Sequence, residues 1–325
     1  MWNGNLSVSK IDFFSDYWYW LEENGCKNLV LHSWEDYPDK IPSDVDYAVS
    51  GVSVKEHLRM LRTYCGSRGW SLIQAIEHEI DSFYMVCFQR TFPYDSLSLD
   101  VTWNYRAKGY DLIPNERLFL KRQRITKKKF YVPAIEVEFF YKFLKGVVKR
   151  KNWEELEILL EPLFIRAPES CVRMVNNFLT ERGEEGISEG NFIDVKTAFC
   201  RSRYLKEIRN APYWRLSRWK LYLRKVKCPT GFILKFPLNW NCDQVEEVRK
   251  IITPGFRSAN QFKVRFFPMR FLARIRSTLL LTLSDTTADF EITESGKSQD
   301  WLDASMREVL GFLETKVERN FKLVE

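Results

Sequence analysis

Three aspartates in this chain stand at spacings that can support phosphate chemistry. In Asp44-Val45-Asp46-Tyr47-Ala48-Val49 polar and apolar residues alternate with the period of a strand, so Asp44 and Asp46 project to one face and repel each other unless water or a cation lies between them. A third acid, Asp100, interrupts the apolar strand pattern Leu97-Ser98-Leu99-Asp100-Val101, where a lone carboxylate needs a partner or a metal. If the two strands are neighbours, the three carboxylates form one cluster of hard oxygen donors, the set that suits Mg²⁺ or Mn²⁺ together with substrate phosphates. Two such ions activate an acceptor hydroxyl and neutralise charge on a transferring phosphate. Ser33 closes the preceding strand pattern, where its hydroxyl and nearby backbone N–H groups can hold a triphosphate, and His32 beside it can donate to the same phosphate or simply end the strand. The plain alternatives are a solvated loop-edge pair for Asp44 and Asp46, and for Asp100 a buried acid paired with Arg106 or a lysine.

The elements that must position these residues follow from periodicity and punctuation. Ser9 caps an expected helix to about Asn24, with Ile11, Phe13, Phe14, Tyr17, Trp18 and Leu21 on its apolar side and Gly25 as its stop. Strands are expected at Asn28–His32, Asp44–Val49, Trp70–His78, Ser82–Gln89 and Leu97–Trp103, with a helix at Val54–Cys65. Glu79–Asp81 makes a hairpin of the third and fourth strands, and His78 reads as a polar residue of that turn. From Pro133 the pattern turns helical, at Ala134–Lys149, Trp153–Leu160 and Glu169–Glu181, with a break at Gly183–Gly190. Lys142, Lys145 and Lys149 share helical spacing among Phe139, Phe140 and Phe143, which fits a phosphate-binding face and an ordinary amphipathic helix equally. The last third reads as a basic aromatic helix at Tyr213–Lys225, strands at Gly231–Phe236 and Ser277–Leu283, and helices at Cys242–Ile252 and Trp301–Phe321.

A serine closing one strand, Asp-x-Asp on the next and a third acid on a later strand together resemble the nucleotidyltransferase superfamily. A narrower resemblance rests on Leu31-His32-Ser33-Trp34-Glu35, Ile41-Pro42-Ser43-Asp44-Val45-Asp46-Tyr47-Ala48-Val49, Ile76-Glu77-His78-Glu79, and Leu99-Asp100-Val101 with Tyr105-Arg106 and Gly109. Over residues 25–150 these are similar to the nucleotidyltransferase-like half of bacterial two-part proteins that carry a thymidylate-kinase-like half and are associated with surface-polysaccharide synthesis. The resemblance implies an α+β/α/β chain: a nucleotidyltransferase-like core with a mixed sheet and flanking helices (1–132), a helical extension (133–185) and a small degenerate kinase-like α/β domain (186–325). It implies a Mg²⁺-dependent transfer of a nucleoside monophosphate from a nucleoside triphosphate to an acceptor hydroxyl or phosphate. Asp44, Asp46 and Asp100 are then the catalytic metal ligands, His32, Ser33 and Arg106 the nucleotide contacts, and a sugar phosphate or glycan precursor the acceptor. Two departures stand out. His32 replaces the family's usual glycine, placing a Cβ where phosphate approaches the backbone. The strand-like Cys228-Pro229-Thr230-Gly231-Phe232-Ile233-Leu234 runs on into Lys235-Phe236-Pro237-Leu238-Asn239-Trp240-Asn241, without the glycines and lysine of a phosphate loop.

Bulk composition narrows the rest. A chain of 325 residues with 45% hydrophobic content is folded and long enough for two cores. Its charge of +7 suits a phosphate-bearing ligand, a nucleic acid or an anionic membrane. Six cations fall within Lys121–Lys129, a run that reads as solvated surface, and the aromatic basic stretch Tyr213–Lys225 reads as a core helix or as a contact for a membrane surface, a nucleic acid or a partner. Seven scattered cysteines without a C-x-x-C pair are expected to be reduced and buried. No signal peptide or long apolar run is apparent, so a cytoplasmic protein is expected. A catalytically inactive nucleotide-binding or scaffold protein and, less favoured, a nucleic-acid-binding module are the rival functions.

Overall fold

The computed structural model describes residues 8–41, 44–149, 152–187, 190–212, 219, 223, 230–256, 259–261, 279–282, 288–293 and 300–322. The chain opens with α1 (Lys10–Glu23), β1 (Lys27–Val30), β2 (Val45–Ser50), α2 (Val54–Ser67), β3 (Trp70–Glu79), β4 (Ser82–Gln89) and β5 (Ser96–Thr102). These strands form a five-stranded mixed sheet in the order β1-β2-β5-β4-β3. Only β2 and β5 run parallel; the other pairs are antiparallel. Side chains alternate between the two sheet faces, and Val45, Tyr47 and Val49 join Leu99 and Val101 in a core with Phe13, Tyr17 and Trp18 of α1 and Leu58 and Leu61 of α2. Each large side chain buried this way contributes roughly 1.5–3 kcal/mol.

Local chemistry starts these helices where the pattern predicts, and α2 runs past the expected Cys65 to Ser67. The Ser9 hydroxyl accepts from the Asp12 N–H at 3.2 Å, and Ser53 and Glu56 form a reciprocal capping box on α2. Gly51, at φ +88°, lies so near the chain entering β1 that an added Cβ would meet the Gly25 carbonyl at 3.0 Å.

After the sheet come two hairpins, β6 (Tyr105–Ala107) with β7 (Tyr110–Ile113), and β8 (Gln123–Ile125) with β9 (Phe130–Val132), separated by the short α3 (Asn115–Leu118). The helices α4 (Ile135–Val148), α5 (Trp153–Arg166), α6 (Pro168–Thr180), α7 (Phe192–Arg201) and α8 (Arg203–Asn210) follow. Val195, Phe199, Leu205 and Ile208 of α7 and α8 bury in one apolar cluster with Phe140 and Phe143 of α4, so the helical layer extends to Asn210. The same cluster takes in Leu29, Leu31 and Ala48, which sets α4 over the β1–β2 part of the second sheet face.

The C-terminal part comprises β10 (Phe232–Lys235), α9 (Cys242–Ile252), β11 (Ala259–Gln261), β12 (Leu279–Thr282), β13 (Phe290–Glu291) and α10 (Trp301–Lys322). Its strands pair in parallel in the order β11-β12-β10-β13. Phe232, Leu234, Val248 and Leu310 pack with Ile73, Val86 and Phe88, so this unit covers the β3–β4 part of that same face. The molecule is thus mixed α/β, as the sequence indicates.

Several details depart from expectation. β1 ends at Val30 and β2 begins at Val45, leaving His32 and Asp44 just outside their strands. His78 lies within β3 rather than in the turn. The helix expected to stop at Leu160 continues to Arg166 through Pro162, because Leu163 and Phe164 still have apolar partners to bury against. Cys26, Cys65, Cys87 and Cys171 are buried thiols, whereas Cys200 and Cys242 are exposed. Tyr213–Lys225 lies outside the described residues apart from Trp219 and Leu223, and so do Pro42, Ser43, Cys228 and Pro229. No helix among the described residues is long and apolar enough to cross a membrane.

Candidate functional site

The parallel pairing of β2 with β5 sets Asp46 directly opposite Asp100. Both side chains therefore leave the same sheet face, next to each other. Asp44, two residues before Asp46, precedes the strand and is partly exposed.

Asp46 is only 9% exposed, yet both of its oxygens are satisfied. Oδ2 lies 2.8 Å from His32 Nε2, and Oδ1 accepts from Lys145 Nζ at 2.8 Å and, at a longer 3.4 Å, from the Tyr141 hydroxyl. Burial alone would raise this carboxyl; the His32 hydrogen bond and the Lys145 charge outweigh it and hold Asp46 well below the usual carboxylate range. The Leu31 N–H, bonded to the Asp46 carbonyl at 2.9 Å, extends the β1–β2 ladder one step past the strand and brings His32 alongside.

Lys145 Nζ also lies 3.0 Å from His32 Nε2. A carboxylate only accepts, so Nε2 carries the proton that reaches Asp46, and the Lys145–His32 approach is between two donors that share one acceptor. In the neutral ring Nδ1 then accepts from the Ser33 hydroxyl, at 2.8 Å. Ser33 is exposed and holds φ at +56°, a left-handed conformation uncommon outside glycine. The His32 ring stacks on Tyr141 with centroids 5.7 Å apart.

Asp100 has a different partner. His78 Nε2 lies 2.8 Å from its Oδ1, a cross-sheet pair between β3 and β5. The lysine or Arg106 expected as the alternative partner is not the one found. Arg106 pairs instead with Asp81 at 3.0 Å and with Asp111. Its charged contacts are thus at the hairpin ends rather than on Asp46 or Asp100.

Two residues that the sequence left ambiguous prove to belong here. Lys145 sits on Asp46 itself, and Lys149, one turn on, lies within electrostatic reach of Asp44, Asp46 and Asp100. Tyr141, Lys145 and Lys149 recur every four residues, so one edge of α4 delivers a hydroxyl and two ammonium groups towards the acids. Lys142 points elsewhere, to Glu138 at 2.6 Å. The i, i+4, i+8 spacing was the available signal; which edge faced the sheet was not.

Among the described residues no three His, Cys, Asp or Glu side chains converge as a ready metal set. The donor chemistry nonetheless fits a hard divalent cation. Two adjacent carboxylates with a third nearby are what Mg²⁺ takes from protein when substrate phosphates complete its shell, and the Lys145 ammonium already places a positive charge on Asp46 Oδ1. The chain matches no known protein family, no curated protein and no solved structure.

The C-terminal unit offers a contrast. Past β10, the N-terminus of α9 is closed by its own side chains. Asn241 Oδ1 accepts from the Gln244 N–H at 2.9 Å, and Gln244 Oε1 from the Asn241 N–H at 3.1 Å. Two of the backbone donors that a phosphate loop would aim at a ligand are thus satisfied within the chain.

Proposed function

We propose that this chain is a nucleotidyltransferase, moving a nucleoside monophosphate from a nucleoside triphosphate to an acceptor hydroxyl or phosphate. One observation carries the reading: Asp46 and Asp100 are in register on adjacent parallel strands, beside the Ser33–His32 corner and beneath Lys145. The first sheet then serves as a nucleotidyltransferase-like core, and the C-terminal parallel sheet as a kinase-like remnant that lacks a phosphate loop.

Asp44, Asp46 and Asp100 would hold Mg²⁺, which when bound neutralises phosphate charge and makes an acceptor hydroxyl easier to deprotonate. The chain's own groups have distinct tasks. Lys145 and Lys149 supply positive charge where a triphosphate enters, and the exposed Ser33 hydroxyl donates to it on turning away from His32 Nδ1. Asp100, oriented by His78, takes up the acceptor proton. The resemblance to proteins of surface-polysaccharide synthesis favours a sugar phosphate or glycan precursor as acceptor, at or near the cytoplasmic membrane surface.

A second reading, nucleotide binding without transfer, is favoured by a specific contact. Both Asp46 oxygens already have nitrogen partners, so a cation must share Asp46 with Lys145 or displace it. Transfer assayed with radiolabelled nucleoside triphosphates against a sugar-phosphate panel separates the two. Loss of transfer in a folded Asp46→Asn variant supports catalysis, whereas transfer unchanged by that substitution removes it.

A further inference from the structure

A polar cavity of about 320 Å³ opens at the edge of the first sheet between α2, the start of β3 and α10. It is lined by Arg59, Arg62 and Gly66 from α2, Ser71 from β3, Arg90 just beyond β4 and Glu314 from α10. None of His32, Asp46, Asp100 and Lys145 lines it, so the two sites are separate.

The arginines are not equivalent. Arg90 is fixed: its Nε donates to Ser71 Oγ at 2.8 Å and its Nη2 to Glu314 at 2.6 Å, with the Ser71 hydroxyl on the same carboxylate. Arg62 is exposed and pairs at 3.1 Å with the partly exposed Glu318, a contact that water screens and a ligand can replace. Arg59 projects from the same helix edge and is exposed. Three guanidinium groups meet two carboxylates, Glu314 on Arg90 and Glu318 on Arg62, so the cavity keeps an excess of positive charge with forked donors, the recognition chemistry of a phosphate group.

Gly66, exposed in the last turn of α2, leaves room beside these groups. It lies within α2 at a helical φ, where glycine weakens a helix and any side chain would be tolerated. A Cβ added there meets nothing within 4 Å. Close packing does not require glycine at this position; a side chain there would enter the cavity.

We propose that this cavity binds a phosphorylated polyhydroxy small molecule, with phosphate held by Arg59 and Arg62 against the fixed Arg90, and hydroxyls received by Glu314 and Ser71. The volume suits a ligand of sugar-phosphate size. The site is independent of nucleotidyl transfer at the acid pair.

The test is calorimetric titration of the full chain with inorganic phosphate, glucose 6-phosphate and glucose. Inorganic phosphate and glucose 6-phosphate should compete for one saturable site, with the sugar phosphate tighter and glucose not bound. Arg59→Gln/Arg62→Gln, both at exposed positions, should weaken binding at least about tenfold. Gly66→Trp should abolish it without lowering the denaturation midpoint. No saturable binding overturns the proposal, and so does binding that survives both variants but is lost in Lys145→Ala, which would place the phosphate at the acid face. An RNA oligonucleotide that binds through the same arginines while glucose 6-phosphate does not would overturn it too.

Discussion

His57 makes the stability of this protein depend on pH in a window that can be calculated. The imidazole is fully buried in the α1–α2 layer, with Nε2 2.7 Å from the Tyr47 hydroxyl and 3.4 Å from that of Tyr17, and Nδ1 3.7 Å from Cys26 Sγ. No carboxylate contributes to its titration; burial alone lowers it from 6.5 to about 3. In the unfolded chain it returns to about 6.5. Because the folded value is depressed, the unfolded state binds the extra proton, and stability is full above about pH 6.5 and declines as pH falls towards 3. At roughly 1.4 kcal/mol per pH unit, the loss between pH 7 and pH 5 amounts to about 2 kcal/mol. Urea denaturation monitored by tryptophan fluorescence at half-unit steps measures it directly. His57→Phe lowers absolute stability but should flatten the pH 5–7 slope by about that 2 kcal/mol. An unchanged slope in the variant would show that His57 is not held neutral by burial, and the reasoning fails.

Other consequences are as specific. Asp46 is held below its usual range, so its contribution is full above about pH 4 and disappears below that; Asp46→Asn should flatten the acid limb of the stability curve between pH 4 and 2 while leaving the His57 window intact. Lys145→Met should cost about 2 kcal/mol, because a largely buried carboxylate loses a charged donor; in the Asp46→Asn background the same change should cost far less, as a double-mutant cycle by denaturation will show. Arg122 pairs with Glu22 at 2.7 Å and lies 4.0 Å over the Tyr131 ring. Arg122→Ala should therefore lower stability by roughly 1–2 kcal/mol, read as a lower urea midpoint with an unchanged denaturant slope.

Much of the sheet and its face pattern was legible in the sequence. Ser82–Gln89 and Cys242–Ile252 have the expected limits because turn residues or capping side chains bracket clean apolar patterns. The acid pair was legible too, since period-two alternation fixes the face of Asp46 and an isolated acid in an apolar strand marks Asp100. What remained hidden were the partners. His78 looked like a turn residue because the β3–β4 hairpin is tighter than Glu79–Asp81 suggested, and only the cross-strand order β5-β4-β3 brings it to Asp100. Lys145 was one of three lysines at helical spacing, and the rotation of α4 about its axis is set by Phe139, Phe140 and Phe143 burying against α5–α8, a tertiary choice with no local signature. Likewise Arg122 sat in a run that read as solvated, although one of its members is held by Glu22 and Tyr131. Helices α7 and α8 were missed because each is short, and what commits them is packing on α4.

The most direct test is calorimetric titration of a panel of nucleoside triphosphates, with and without Mg²⁺, into the wild-type chain and Asp44→Ala/Asp46→Ala. A metal-binding acid pair beside Ser33 and Lys145 predicts saturable binding that requires Mg²⁺ and is lost in the double variant. Binding that ignores Mg²⁺ and survives the loss of both aspartates would contradict it, and so would no binding of any triphosphate.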